Sequence, residues 1–212
     1  MSTKCSICKI NWHAITKVDG QYICALCSEK FKCKICNVLL FPNINAVTCL
    51  ECWQKLGISK ITDGIYISDF ANARSYDKLK ELGIRQILSI GAELTPHETK
   101  DFETYHIKLY DYPTENIYRY FNFASEFIKK QSTLVHCYAG ISRSASLVIA
   151  YLIKEKNLTF EQALQMCQRG RAIVNPNIGF SNQLKTFESD QKTYYTIDDY
   201  DLTTETGSIK SE

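Results

Sequence analysis

Nine residues, His136-Cys137-Tyr138-Ala139-Gly140-Ile141-Ser142-Arg143-Ser144, separate the apolar run Thr133-Leu134-Val135 from the apolar run Ala145 to Ile153. The first run has the length of a buried strand and the second that of a core helix. A chain that buries both must turn from strand into helix within this stretch. The loop so formed carries a thiol, Cys137, and a guanidinium, Arg143, at its two ends, with five residues between them.

A tight loop entering a helix turns successive backbone N–H groups inward, and the helix dipole adds partial positive charge. Gly140 allows backbone angles that a side chain would forbid. Arg143 can fork onto two oxygens of one phosphoryl group. The stretch therefore reads as a cradle for a dianionic tetrahedral oxyanion, lined by the N–H groups of Tyr138, Ala139, Gly140, Ile141, Ser142 and Arg143. Cys137 lies at its base, where positive surroundings favour the thiolate. Ser144 is placed to donate a hydrogen bond to the sulfur, and His136 to orient the loop from behind. A lone cysteine beside a turn is ordinarily a buried core residue. Cysteine, glycine, arginine and serine together at a strand–helix junction point to chemistry.

This stretch resembles the His-Cys-x5-Arg signature of the cysteine-dependent protein tyrosine phosphatases, in the Ala-Gly-x-Ser-Arg-Ser form of the dual-specificity branch. The likeness runs from about Ser59 to about Lys192. Ile61 to Ile67 is similar to the family's opening strands. Asn175-Pro176-Asn177-Ile178-Gly179-Phe180, with Gln183-Leu184, resembles the element after the signature helix, as does Ala150-Tyr151-Leu152 within it.

The remaining pattern is that of an α/β fold with a central, mostly parallel sheet flanked by helices. Strands are expected at Ile65-Tyr66-Ile67, Ile84 to Ile90, Tyr105 to Leu109 and Thr133 to Val135. Helices are expected over Tyr76 to Leu82, Asn116 to Lys130, Ala145 to Ile153, Thr159 to Arg169 and from Phe180. Thr159 reads as an N-cap rather than part of a glycosylation site with Asn157. The cradle then lies at the carboxyl edge of a central strand, where such sheets bind ligands.

A carboxyl group is needed near the cradle to protonate a leaving oxygen. The resemblance puts the family's general acid on the loop Tyr110-Asp111-Tyr112-Pro113, at Asp111. A turn former before Pro113 is the other reading of that residue, with Glu115 as the alternative acid. The resemblance also implies a supporting hydrogen bond from Asn177 near the signature loop. Arg169 and Arg171 read either as rim residues or as solvated ones, and Cys167 as a core thiol.

Eight of the ten cysteines form four Cys-x2-Cys pairs within the first 52 residues: Cys5 with Cys8, Cys24 with Cys27, Cys33 with Cys36, and Cys49 with Cys52. Such pairs present two thiolates on one knuckle, and eight ligands make two closed, structural Zn²⁺ sites. An internal repeat favours sequential pairing, while a cross-braced arrangement stays open. So small a segment buries little core, and its two zinc ions would supply folding energy. It reads as a docking module or a stabilising appendage. A RING-type ligase is disfavoured because the usual histidine ligand is lacking, and His13 reads as a surface or packing residue.

Charge sharpens the organisation. Residues 1–57 carry seven lysines against three acids, residues 58–193 seventeen bases against fifteen acids, and residues 194–212 one lysine against five acids. Eight zinc-bound thiolates would neutralise the first segment, which argues against nucleic-acid binding by charge. The expected domains are a two-zinc module at 1–57, a catalytic domain at 58–193 and a disordered acidic tail at 194–212. No run is long and apolar enough for a bilayer, and no secretory signal stands at Met1. Metal thiolates and a reactive thiol suit a reducing compartment, cytoplasmic and/or nuclear.

The resemblance implies a dual-specificity protein phosphatase working through a phosphocysteine, with no cofactor for the chemistry itself. The expected substrate is a phosphoprotein, and the zinc module is a candidate site for a protein partner. One alternative keeps the chemistry but acts on RNA 5′-triphosphate or phosphoinositide; the loop interior has no lysine to meet such polyanions. Another is a phospho-reader without turnover, against which Cys137, Arg143 and Asp111 all count.

Overall fold

Two residues, Asp63-Gly64, turn the first hairpin of the second unit, Gly64 adopting a positive φ of 74° that a residue without a side chain takes readily. They join β3 (Ser59–Thr62) to β4 (Ile65–Ser68). The computed structural model describes the backbone of residues 15–18, 21–24 and 55–204, and side chains over residues 55–193. The chain divides into two units, Met1–Gly57 and Ile58–Glu212. In the first, β1 (Ile15–Val18) pairs antiparallel with β2 (Gln21–Cys24).

The expected zinc ligands all fall in that first unit. Cys5, Cys8, Cys27, Cys33, Cys36, Cys49 and Cys52 lie outside the described residues, and of Cys24 only the backbone, at the end of β2, is described. Neither the two-zinc arrangement nor the pairing of its ligands therefore has a structural counterpart among the described residues.

The second unit holds a five-stranded sheet in the order β3-β4-β7-β5-β6, with β5 at Gln86–Ile90, β6 at Glu103–Ile107 and β7 at Thr133–His136. Only the β3–β4 pair is antiparallel; β4–β7, β7–β5 and β5–β6 are parallel. The expectation of a mostly parallel sheet therefore holds. Alternation along the strands feeds two cores. Ile65, Ile67, Leu88, Ile90 and Val135 face one cluster, and Tyr66, Ile87 and Leu134 face the other. This is the period of two that places successive strand residues on opposite faces.

Helix α1 (Tyr76–Glu81) contributes Leu79 to the smaller core. Helices α2 (Phe121–Lys130), α3 (Arg143–Lys156), α4 (Phe160–Gly170) and α5 (Ile178–Thr204) supply the larger one. Every residue of α3 from Arg143 to Ile153 is buried, because α3 packs against α2, α4 and α5 at once. Thr159 caps α4 as expected: its Oγ1 accepts from Gln162 N, and Gln162 Oε1 accepts from Thr159 N, a reciprocal capping box.

Several boundaries differ from the sequence expectation, among them the starts of β5, at Gln86 rather than Ile84, of α3, at Arg143 rather than Ala145, and of α5, at Ile178 rather than Phe180. The strand expected at Tyr105–Leu109 sits two residues earlier, since its ladder with β5 runs from Glu103 opposite Gln86 to Ile107 opposite Ile90. The helix expected from Asn116 opens as a 3-10 turn at Tyr118–Tyr120 and becomes α-helical at Phe121. The last helix continues to Thr204, past residue 193 where the acidic tail was expected to begin. No glycine or proline occurs between Phe180 and Thr204 to stop it.

Candidate active site

β7 is the middle strand, and the chain leaves its carboxyl end directly into the Cys137–Ser142 loop. Every carbonyl of that loop is held by a donor outside the ring. The Cys137 carbonyl accepts from His136 Nδ1 (3.3 Å), Tyr138 from Phe70 N (3.0 Å) and Ile141 from Asn175 N (2.9 Å). Arg171 takes the two between, donating from Nη2 to the Ala139 carbonyl (3.2 Å) and from Nε to the Gly140 carbonyl (2.9 Å). The Ser142 carbonyl accepts from Ser146 N and Oγ. With the carbonyls turned out, the amides turn in, which makes the concave anion nest expected here.

Gly140 is the residue this geometry cannot replace. Its φ is 69°, and a Cβ there would stand 2.5 Å from the Ser68 carbonyl oxygen and 2.9 Å from Arg171 Nη2. Both a side-chain-free αL residue and close backbone approach are needed.

Cys137 is buried at the floor. Two donors converge on its sulfur: Gly140 N at 3.2 Å and Ser144 Oγ at 3.3 Å. Both donors direct a hydrogen at the sulfur, Gly140 from the loop and Ser144 from the first turn of α3. Arg143, the first residue of α3, is buried and forked onto Glu93, with Nη2 to Oε1 at 2.6 Å and Nη1 to Oε2 at 2.8 Å. Burial works against its charge, but the Glu93 hydrogen bond and the charges of Cys137, Glu93 and Asp111 outweigh that and raise its pKa. The same Arg143 hydrogen bond lowers the pKa of Glu93. Arg143 Nη1 also donates to the Leu109 carbonyl. Its buried Nε has no hydrogen-bond partner and stands 3.6 Å from Asp111 Oδ2. The fork expected for a phosphoryl group is thus directed at Glu93, and Nε–H with the second hydrogen of Nη2 are the donors outside those bonds.

Asp111 is brought to the cradle as expected. Its Oδ1 accepts from Ser142 Oγ at 2.7 Å and from Asn177 Nδ2 at 2.8 Å. Asn177 is fixed in turn, its N donating to Ser142 Oγ and its Oδ1 accepting from Phe180 N. Glu115, the alternative acid, has its carbonyl bound by Gln183 Nε2 and no described contact with the cradle.

Behind the loop lies a buried polar chain. His136 Nε2 meets Ser89 Oγ at 2.7 Å and His97 Nε2 at 2.8 Å, and His97 Nδ1 meets Tyr76 Oη at 3.0 Å. One tautomer assignment, inferred from the network, accounts for it. His136 carries its proton on Nδ1 for the Cys137 carbonyl, and its one Nε2 lone pair is shared between the Ser89 and His97 donors. His97 accepts from Tyr76. Burial and the neighbouring His97 push His136 down to about 3, and burial with Arg74 nearby pushes His97 down to about 4.

Sequence reasoning missed Glu93 and His97, and misplaced Arg171. Arg171 is fully buried rather than at the rim or in solvent, because its guanidinium spans the two loop carbonyls and Ser59 Oγ. No local pattern announces Glu93 or His97; both lie on the β5–β6 connection. Cys167 is a core thiol, as expected, with burial pushing its pKa up to about 12. Among the described residues no cluster of His, Cys, Asp or Glu could hold a metal; the cysteine pairs expected to do so, from Cys5 and Cys8 to Cys49 and Cys52, are not among them.

Comparison with known proteins adds an independent line. Residues 65–190 match the model of the family described as dual specificity phosphatase, catalytic domain. The chain is 36% identical over 144 residues to human dual specificity protein phosphatase 22, covering 66% of this chain and 78% of that one. It is 36% identical over 135 residues to dual specificity protein phosphatase 1 of Arabidopsis thaliana, covering 61% and 68%. Among solved structures it resembles the crystal structure of DUSP15 with a TM-score of 0.61 and 32% identity, covering 68% of this chain and 96% of the other.

Proposed function

The chain belongs to the dual-specificity protein phosphatases, and we propose that it hydrolyses phosphotyrosine and phosphoserine or phosphothreonine in proteins through a phosphocysteine on Cys137. The observation that carries this mechanism is the ring of outward-tied carbonyls around a sulfur with two donors upon it. In the first step the thiolate attacks phosphorus, the S–P bond forms and the P–O ester bond breaks. Asp111 gives its proton to the departing oxygen. Both its hydrogen bonds fall on Oδ1, so the proton is assigned to Oδ2, which faces Arg143 Nε at 3.6 Å. The loop amides and Arg143 hold the three equatorial oxygens, where charge stabilisation governs so loose a transition state. In the second step Asp111 takes a proton from water as it attacks phosphorus. The P–S bond breaks, and Ser144 Oγ steadies the released sulfur anion.

Rapid quenching with a labelled phosphopeptide tests the reading. Wild type should yield phosphate bound to Cys137 as an S–P linkage. Cys137→Ser should bind the peptide without turnover; wild-type turnover in that variant would overturn the mechanism. Polyphosphate substrates are the weaker alternative, because the loop interior Tyr-Ala-Gly-Ile-Ser supplies no lysine.

For residues 1–57 the spacing of Cys5, Cys8, Cys24, Cys27, Cys33, Cys36, Cys49 and Cys52 supports a two-zinc module that docks a protein partner or stabilises the chain. Two zinc ions released per chain on thiol modification is the expected result. A cytoplasmic or nuclear setting accords with nine of the ten cysteines serving as metal and catalytic thiolates.

A further inference from the structure

Large apolar side chains exposed on a folded surface mark contact sites when they gather in one place. Among the described residues seven are exposed, and the four most exposed are Ile178 (69%), Tyr112 (59%), Tyr138 (59%) and Tyr110 (48%). Each is the immediate chain neighbour of a group in the site. Tyr138 follows Cys137. Tyr110 and Tyr112 bracket Asp111, with their rings stacked at 5.6 Å. Ile178 follows Asn177, whose side chain holds Asp111. The segments meet closely: a Cβ on Gly179 would stand 1.9 Å from the Pro113 carbonyl oxygen. Three loops thus bring four uncovered apolar groups to one mouth.

Charge around that mouth is equally one-sided. Residues 110–116, 137–142 and 175–179 contain no lysine or arginine, and they include Asp111 and Glu115. Arg171 is buried behind the loop. The cradle therefore offers one guanidinium for one phosphoryl group. A second phosphate, or an acidic side chain beside the first, meets no cation on these loops.

We propose that Tyr110, Tyr112, Tyr138 and Ile178 form a specificity collar that selects phosphopeptides carrying aromatic or aliphatic residues next to the phosphorylated one. This rests on the phosphoprotein reading above. The collar covers the flanking side chains while the phosphoryl group is seated in the ring, so it acts on peptide capture and leaves the chemical step to Cys137, Arg143 and Asp111.

The test is a crossed comparison of kcat/KM on the full chain. Three phosphotyrosine peptides differ only in the residues on either side, which are phenylalanine, serine or glutamate. Inositol hexakisphosphate and triphosphate-ended RNA are run beside them. Wild type should favour the phenylalanine-flanked over the serine-flanked peptide by about tenfold, as partial burial of an apolar side chain supplies. In Tyr112→Ser/Ile178→Ser, with thermal unfolding confirming the fold, that ratio should collapse towards one. Equal rates on the two peptides in wild type, preference for the glutamate-flanked peptide or a polyphosphate, or an undiminished ratio in the double variant would each overturn the collar. Turnover on peptides without flank preference sinks the collar alone; no turnover on any phosphopeptide sinks the parent reading with it.

Discussion

His97 Nε2 approaches His136 Nε2 to 2.8 Å in the buried layer behind the Cys137–Ser142 loop. Two imidazole nitrogens at that distance share one proton and repel two. Both rings are held neutral, at about 4 and about 3 against an ordinary 6.5. Unfolding frees them to take protons whenever the pH is below 6.5. Stability from this pair is therefore full above that value and declines as the pH falls towards 4, by about 3 kcal/mol from His97 alone. Tyr76, Ser89, Arg74, His106 and the Cys137 carbonyl are the polar groups facing the pair. Urea midpoints should drop between pH 7 and pH 5, and drop less in His97→Gln. Equal slopes for the two proteins would count against this account.

Asp111→Asn keeps both hydrogen bonds within reach but has no proton to give. Turnover should fall by ~10²-fold or more on phosphoserine peptides, whose leaving oxygen needs that proton most. The loss should be smaller on aryl phosphates, whose leaving group departs more readily. A plot of rate against leaving-group basicity checks it: steeper for the variant supports the role, parallel lines oppose it.

Removing Arg171 with Arg171→Met strips the donors from two loop carbonyls and from Ser59. Leaving those buried acceptors unmet should cost about 3 kcal/mol, by the usual penalty for an unsatisfied buried group. Thermal unfolding should occur at a lower temperature. Turnover should fall as well, although Arg171 touches no substrate atom. A variant as stable and active as wild type would show the loop to be self-supporting.

Iodoacetamide near neutrality should modify Cys137 and spare Cys167, and vanadate in the cradle should protect Cys137. Burial keeps the Cys167 thiol protonated, whereas the Cys137 sulfur is met by Gly140 N and Ser144 Oγ. Mass mapping of peptides from the second unit reads the outcome. Labelling of Cys167 ahead of Cys137 would contradict the geometry.

The strand–loop–helix at residues 133–153 was legible because everything that makes it is local: two apolar runs, one glycine, and a spacing. The capping box at Thr159 and Gln162 was legible for the same reason. Strand β6 was placed two residues late because it lies at the sheet edge, where exposed Glu103, Thr104 and Tyr105 blur the alternation and the ladder with β5 sets the register instead. Glu93, His97 and Arg171 are distant in sequence from the groups they serve. Arg171 lies 31 positions from Gly140, and only the completed topology brings a guanidinium read as peripheral to the back of the loop. Resemblance brings Asp111 and Asn177 each to the signature loop, but the hydrogen bond from Asn177 Nδ2 to Asp111 Oδ1 spans 66 positions and follows only from the completed fold.

Cys137 hangs from β7, which has neighbours on both sides and no exposed residue. A sheet's middle member is released only when its flanks have parted, so its opening is that of the whole unit rather than a local fraying. Dephosphorylation thus doubles as a gauge of how much of the population is folded: on heating, catalysis and ellipticity should vanish along one curve.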